Sequence, residues 1–211
     1  LRDILIAIFL GTSYLADVFF VAFRIPNTFR RLFSEGTFNS AFVPSYSSEI
    51  VKGKSKSNNF ANEVFNYLFL ILLIFVLVVQ LFMPAFVTII APGFIDDNEK
   101  MSLAINLTRI TIPFLMLVSL ASFFSAILNS HNRFAAAAAA PVILNILLII
   151  ILLFNKSLND ELVYYLSYGV TFAGLLQLVF LYFFVKKYFK LTFEFKFQLS
   201  KKVKVFFNKL I

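Results

Sequence analysis

Cysteine is absent from the 211 residues, and there is a single histidine, His131. The first absence excludes a disulfide framework and a thiolate metal site and leaves the redox compartment open. The second excludes a multi-histidine metal centre, so no metal and no cofactor is expected. A membrane enzyme acting on lipid phosphates would need clustered His, Asp or Cys for nucleophilic or metal-assisted chemistry, and one histidine does not supply it. Charge is also scarce: charged residues make up 14% of the chain, where a soluble domain carries nearer a quarter. What fills the sequence instead is apolar, with 60% hydrophobic residues, 30 phenylalanines and a mean hydropathy of +0.87. The average environment of this chain is lipid.

A helix needs about 20 mostly apolar residues to cross the hydrocarbon core. Residues 64–95 carry no charge and suit a tilted helix followed by a turn at Ala91, Pro92 and Gly93. Residues 110–132, bent near Pro113 because proline removes a backbone donor, give another span. Residues 134–155 and 162–185 give two more, and 14 to about 46 completes five. The opening LRDILIAIFL is too short to span and has no small-residue cleavage site, so it reads as the tail of a helix. The expected fold class is all-α, a polytopic membrane helix bundle with a partial first helix and five full spans. Two units are expected, a membrane lobe over 1–190 and an interfacial segment over 191–211.

Orientation follows from lysine and arginine, which concentrate in short cytoplasmic loops. Loops around 49–59, 129–133 and 186–211 hold three, one and eight basic residues, while 92–100 holds Asp96, Asp97 and Glu99 against one lysine. The basic loops are therefore expected on the cytoplasmic side, beside anionic membrane lipids, which account for much of the net charge of +8 without nucleic acid. In the tail, Val203, Phe206, Phe207 and Leu210 recur at helical spacing behind Ser200 as an N-cap, which suits an interfacial helix.

Between residues 17 and 44 the chain places five charges, Asp17, Arg24, Arg30, Arg31 and Glu35, inside a segment otherwise apolar enough for a membrane. A charge near the bilayer centre costs roughly 2.5 to 3.5 kcal/mol on insertion scales, so such residues face a protein-lined cavity and act there. On an ideal helix Asp17, Arg24, Arg31 and Glu35 fall within about 40° of one another. Arg30 lies off that stripe, but Pro26 intervenes as a hinge candidate, with Gly36 as a second. Asn27, beside the proline, could satisfy a freed backbone group or a ligand. One reading is an internal salt-bridge ladder, Asp17 with Arg24 and Arg31 with Glu35. The other starts from the surplus of cations, with Arg2 and Asp3 adding one of each sign: an anionic ligand suits arginine's fixed fork of donors. Elsewhere, the alanines over 135–140 suit a close packing face, His131 a solvated loop, Arg109 an interfacial anchor, and Asn145 and Gln177 hydrogen bonds between helices.

The string ADVFFVAFRIPNTFRRLFSEGTFNSAFVP over 16–44 resembles the MviN/MurJ family, the lipid II flippases of the multidrug/oligosaccharidyl-lipid/polysaccharide exporter superfamily. APGF at 91–94, LNSHNRF at 128–134, APVILNI at 140–146 and GLLQL at 174–178 support it in the family's order. The resemblance implies the N-terminal lobe of a fourteen-helix flippase in the bacterial cytoplasmic membrane, with a C-terminal lobe of the same chain as partner. It implies translocation of lipid II, the undecaprenyl-pyrophosphate-linked peptidoglycan precursor, by alternating access, without bond chemistry. The alternative is export of another polyprenyl-linked glycan. The resemblance matches Arg2 and Arg30 to cavity-lining arginines, Asp17 to a functional acidic position and Arg24 to a position where relatives carry lysine. Joined to the charged stripe, this leads to the expectation of substrate binding by Arg2, Arg24, Asn27 and Arg30, gating or charge pairing by Asp3, Asp17, Arg31 and Glu35, and bending at Pro26 and Gly36.

Overall fold

The computed structural model describes residues 2–11, 13–34, 37–155, 160–192 and 200–208, the side chains of 25, 29–34, 37, 201–202 and 207–208 excepted. These residues form α1 (Arg2–Leu10), α2 (Tyr14–Ser34), α3 (Thr37–Val51), α4 (Lys54–Leu81), α5 (Met83–Ile90), α6 (Asn98–Ser130), α7 (Phe134–Phe154), α8 (Asp160–Val185) and α9 (Lys201–Asn208). Helices α4, α6, α7 and α8 are long and apolar enough to cross a membrane. Helix α2, with 21 residues, has the length but carries Asp17, Arg24, Arg30 and Arg31. The chain is a multi-pass membrane helix bundle.

Several boundaries differ from the sequence reading, each for a local reason. Helix α6 starts at Asn98 rather than 110, because the Asp97 carboxylate accepts from the Lys100 amide at 3.1 Å and caps its first turn. The apolar run 64–95 is two helices, broken at Phe82 where Pro84 stands in the first turn of α5. The basic stretch 49–59 is mostly helical: α3 continues to Val51 and α4 begins at Lys54. Gly53 makes the break at a φ of 115°, a conformation that favours glycine.

Helix α6 is the axis of the bundle. In its most apolar window 72% of residues are buried, against 22% for α7 at the periphery. Helices α2, α4 and α8 pack around it, and α7 lies against α8. Outward positions of α4, α7 and α8, such as Ile74, Ile146 and Phe172, are about half exposed, as the lipid-facing side of a membrane bundle is. The alanines over 135–140 do not form a packing face. Ala135, Ala138 and Ala139 are exposed, Ala136 and Ala137 are half-buried, and only Ala140 is buried.

Proline inside a spanning helix frees the carbonyl four residues earlier, and lipid offers that carbonyl no donor. The Ala22 carbonyl, freed by Pro26, accepts from Thr111 Oγ1 of α6 at 2.7 Å. The Arg109 carbonyl, freed by Pro113, accepts from Gln80 Nε2 of α4 at 2.8 Å, and the adjoining Ile110 carbonyl accepts from Thr171 Oγ1 of α8. Helix α2 therefore runs through Pro26 as one element, tied to the axis at the point of weakness.

Beyond α8 the chain is gripped by an asparagine ladder on α4. Asn58 and Asn62 donate to the Lys190 carbonyl at 3.2 and 2.8 Å and accept from the Lys190 and Thr192 amides at 2.8 and 2.6 Å; Asn66 donates to the Thr192 carbonyl at 3.1 Å. Helix α9 follows, with Ser200 Oγ accepting from the Val203 amide at 3.4 Å. It buries Val203 and Phe206, the latter edge-on to Phe38, Phe42 and Phe60.

Candidate substrate-binding face

Helix α2 sorts its side chains by face. Leu15, Ala16, Val18, Phe19, Ala22 and Phe23 are buried against the bundle, whereas Tyr14, Asp17, Phe20, Arg24 and Thr28 are exposed, at steps of three and four residues. The polar stripe expected from helical periodicity thus points away from the core, as far as Thr28. The side chains of Arg30 and Arg31, and residues Glu35 and Gly36 altogether, lie outside the described residues.

Arg2 approaches α2 from α1 on the side of Phe23. Its Nε and NH2 donate to Asp3 Oδ1 at 2.9 and 2.7 Å, its NH1 donates to Asn145 Oδ1 of α7 at 3.1 Å, and its guanidinium lies 5.9 Å from the Phe23 ring centre. Phe23 precedes Arg24 in α2, but its ring is on the buried face of that helix and Arg24 is on the exposed one. Asn145 makes the interhelical hydrogen bond expected of it, with Arg2 as its partner. Arg2 keeps a carboxylate neighbour; Arg24 has no ion pair among the described residues, and its carbonyl accepts from Thr28 Oγ1 at 2.9 Å.

The salt-bridge ladder does not form between Asp17 and Arg24. The nearest described cation to Asp17 is Lys100 of α6, at 4.0 Å, which also lies 5.7 Å from the Phe94 ring centre. At the same end of the bundle Tyr14 donates to Asp160 Oδ1 at 3.0 Å. Asp17 therefore belongs to the acidic end that holds Asp97, Glu99 and Asp160, and Arg24 stands apart from it. Pro26 is buried and tied through Ala22 to Thr111; Asn27 beside it is half-buried. Among the described residues no cluster of His, Asp and Glu could hold a metal ion.

A family model described as "Lipid II flippase MurJ" matches residues 6–211. The chain belongs to the MurJ family. Curated relatives named "Probable lipid II flippase MurJ" include those of Rhizobium tropici, 45% identical over 86% of this chain, and Rickettsia prowazekii, 40% identical over 88% of it. A relative of the same name from Aquifex aeolicus is 34% identical over all of this chain. The chain spans about a third of the length of the first two, 35% and 36%, and 41% of the third. Among solved structures, "Lipid II flippase MurJ, inward closed conformation" is similar with a TM-score of 0.81 and 27% identity, over 99% of this chain and 43% of that one.

Two contacts of this MurJ-family chain gave no signal in the residue types alone. Thr111 and Gln80 look like ordinary polar residues in spans until the positions four before Pro26 and Pro113 are traced to them. Conversely, Gln177 was expected to bond between helices, yet its Nε2 is buried without a partner among the described residues. His131, expected to be solvated, is packed between Tyr188, stacked at 4.5 Å, and Tyr46, edge-on at 6.0 Å. Burial pushes its pKa down from the ordinary 6.5.

Proposed function

We propose that the parent protein of this chain translocates lipid II, the undecaprenyl-pyrophosphate-linked peptidoglycan precursor, across the bacterial cytoplasmic membrane, and that this chain supplies the N-terminal lobe of the transport cavity. The observation that carries the reading is Arg24: a cation on the exposed face of α2, without a carboxylate partner among the described residues. A surplus positive charge at membrane depth is costly unless a ligand brings the opposite charge. The pyrophosphate of a lipid-linked precursor does so, and arginine forks match its oxygens. Membership in the MurJ family supports the same substrate.

In this reading Arg2, Arg24 and Arg30, with Asn27, hold the pyrophosphate and sugar headgroup. Asp3, Asp17, Arg31 and Glu35 exchange partners as the cavity opens to one side and then the other. The tie between Thr111 and the Ala22 carbonyl holds α2 on α6 during that movement, with bending at Pro26 and Gly36. The C-terminal lobe of the same protein closes the cavity. Loops around 49–59, 129–133 and 186–211 face the cytoplasm, and residues 191–211 form an interfacial segment whose helix α9 packs on α3 and α4 of the lobe of residues 1–190.

The test is outer-leaflet lipid II in cells that depend on the full-length protein, measured by its accessibility to an externally added lipid II-cleaving enzyme. Arg24→Ala and Arg30→Ala should abolish translocation while leaving membrane insertion intact, and Arg24→Lys should restore part of it. Normal translocation in the double alanine variant overturns the assignment.

A further inference from the structure

At the opposite end of the bundle from Asp17, α6, α7 and α8 enclose a cavity of about 590 Å³ between the start of α7 and the end of α8. Its polar wall is Arg133, Lys186 and Lys187 with the Tyr188 hydroxyl, and its apolar wall includes Ala136, Phe183 and Phe184. Neither Arg2 nor Arg24 lines it.

No carboxylate lines this cavity, and among the described residues its three cations take part in no ion pair. Arg133 is held in position: its Nε donates to the Tyr188 hydroxyl at 2.9 Å, which leaves the two terminal amino groups of the guanidinium for a ligand. Tyr188 is itself fixed by stacking on His131, which rests against Tyr46. The charge is therefore pre-aimed by a pile of three rings rather than carried on a loose side chain. Lys186 lies 5.0 Å from the Phe183 ring centre, so its ammonium is drawn toward the apolar wall. Helix α7 begins here without a side-chain cap, and the free amides of its first turn add positive potential.

Phe134, Phe183 and Phe184, each 50% exposed or more, extend from the cations along the outer surface of α7 and α8. A soluble anion has no use for that wall; a lipid does. Basic pockets at the ends of spanning helices suit anionic headgroups at the membrane surface. We propose that this cavity is a binding site for one anionic glycerophospholipid, its phosphodiester held by Arg133, Lys186 and Lys187 and its acyl chains lying on Phe183 and Phe184. The bound lipid fixes the end of α8 against the turn between α6 and α7. This proposal stands independently of the transport reading.

The test uses the full-length protein in nanodiscs of phosphatidylethanolamine containing a few per cent phosphatidylglycerol, with the retained phosphatidylglycerol counted by native mass spectrometry. Each cation contributes about fivefold in affinity, so the triple variant R133A/K186A/K187A should bind about a hundredfold more weakly and release one lipid per protein. Tyr188→Phe, which changes no charge but frees Arg133, should weaken binding severalfold. Neutralising Lys54, Lys56 and Lys204 together should leave the tightly held lipid in place. Undiminished retention in R133A/K186A/K187A, unchanged affinity in Tyr188→Phe, or an equal loss in the remote triple variant overturns the proposal. So does displacement of the lipid by millimolar inorganic phosphate, the mark of a soluble-anion site.

Discussion

The seam that α2 and α8 make with α6 and the seam between α7 and α8 both contain proline and glycine in spanning helices, and they handle them differently. In the first, Pro26 and Pro113 leave carbonyls that Thr111 and Gln80 satisfy directly. In the second, Pro141 leaves the Ala137 carbonyl beside a cavity of about 20 Å³, and Gln177 Nε2, which lines the same cavity, has no partner among the described residues. That volume is about what one water needs, whereas at the axial seam Pro113 borders an open groove of about 570 Å³ between α6 and α8 and its freed carbonyl is bonded within the protein. The glycines repeat the contrast. A Cβ on Gly174 would stand 2.6 Å from the Phe114 ring and 3.2 Å from Leu117 Cβ; on Gly169 the close contact would be the flexible end of Ile151, at 2.3 Å, with Leu148 Cδ2 at an ordinary 3.5 Å. At Gly174 the axial seam is packed tight, and at Gly169 the peripheral seam has room to adjust.

The largest break in this comparison is expected from Gly174→Ala. Phe114 is fully buried and cannot turn aside, so overpacking costs about 2 to 3 kcal/mol. The gain of about 1 kcal/mol in helix propensity offsets it only in part. Denaturation of the purified protein in mixed detergent micelles should show a clear loss of stability. Of similar size is Thr111→Val, nearly isosteric, which leaves the Ala22 carbonyl without its donor inside the bundle. It should cost about 1 to 3 kcal/mol. If α2 is carried on this tie, Cys pairs placed across α2 and α6 should cross-link more slowly in that variant. Gly169→Ala should be near neutral, since Ile151 can rotate and the helix gains propensity. A loss as large as that of Gly174→Ala would erase the distinction between the seams.

Much of this arrangement was legible in the residues. Hydropathy marked α4, α6, α7 and α8, because a span in lipid must be continuously apolar over a fixed length. The stripe of Asp17 and Arg24 followed from helical steps alone, and it proved to be the exposed face of α2. Pairing was not legible. Asp17 lies near Lys100 and Arg2 bonds to Asn145, contacts that depend on how helices far apart in sequence stack. Capping escaped as well: the start of α6 at Asn98 is set by one carboxylate, Asp97, against the composition of its surroundings. His131 does lie in the turn between α6 and α7, but the fold brings Tyr46 and Tyr188 against it, so it is half-buried rather than solvated.

That stack gives the smallest expected effect and locates it at the peripheral seam. Burial lowers the His131 pKa in the folded protein below the ordinary 6.5 of the unfolded chain. The unfolded state therefore takes up the proton first as pH falls, so the contribution of this residue is full above about 6.5 and is lost below it. His131→Phe keeps a ring between Tyr46 and Tyr188 and removes the titration. Thermal midpoints measured at pH 7.5 and 5.5 should fall less between the two for that variant than for the parent. An equal drop in both would mean that the turn between α6 and α7 tolerates a charged imidazolium, and that the peripheral seam yields even where its rings are stacked.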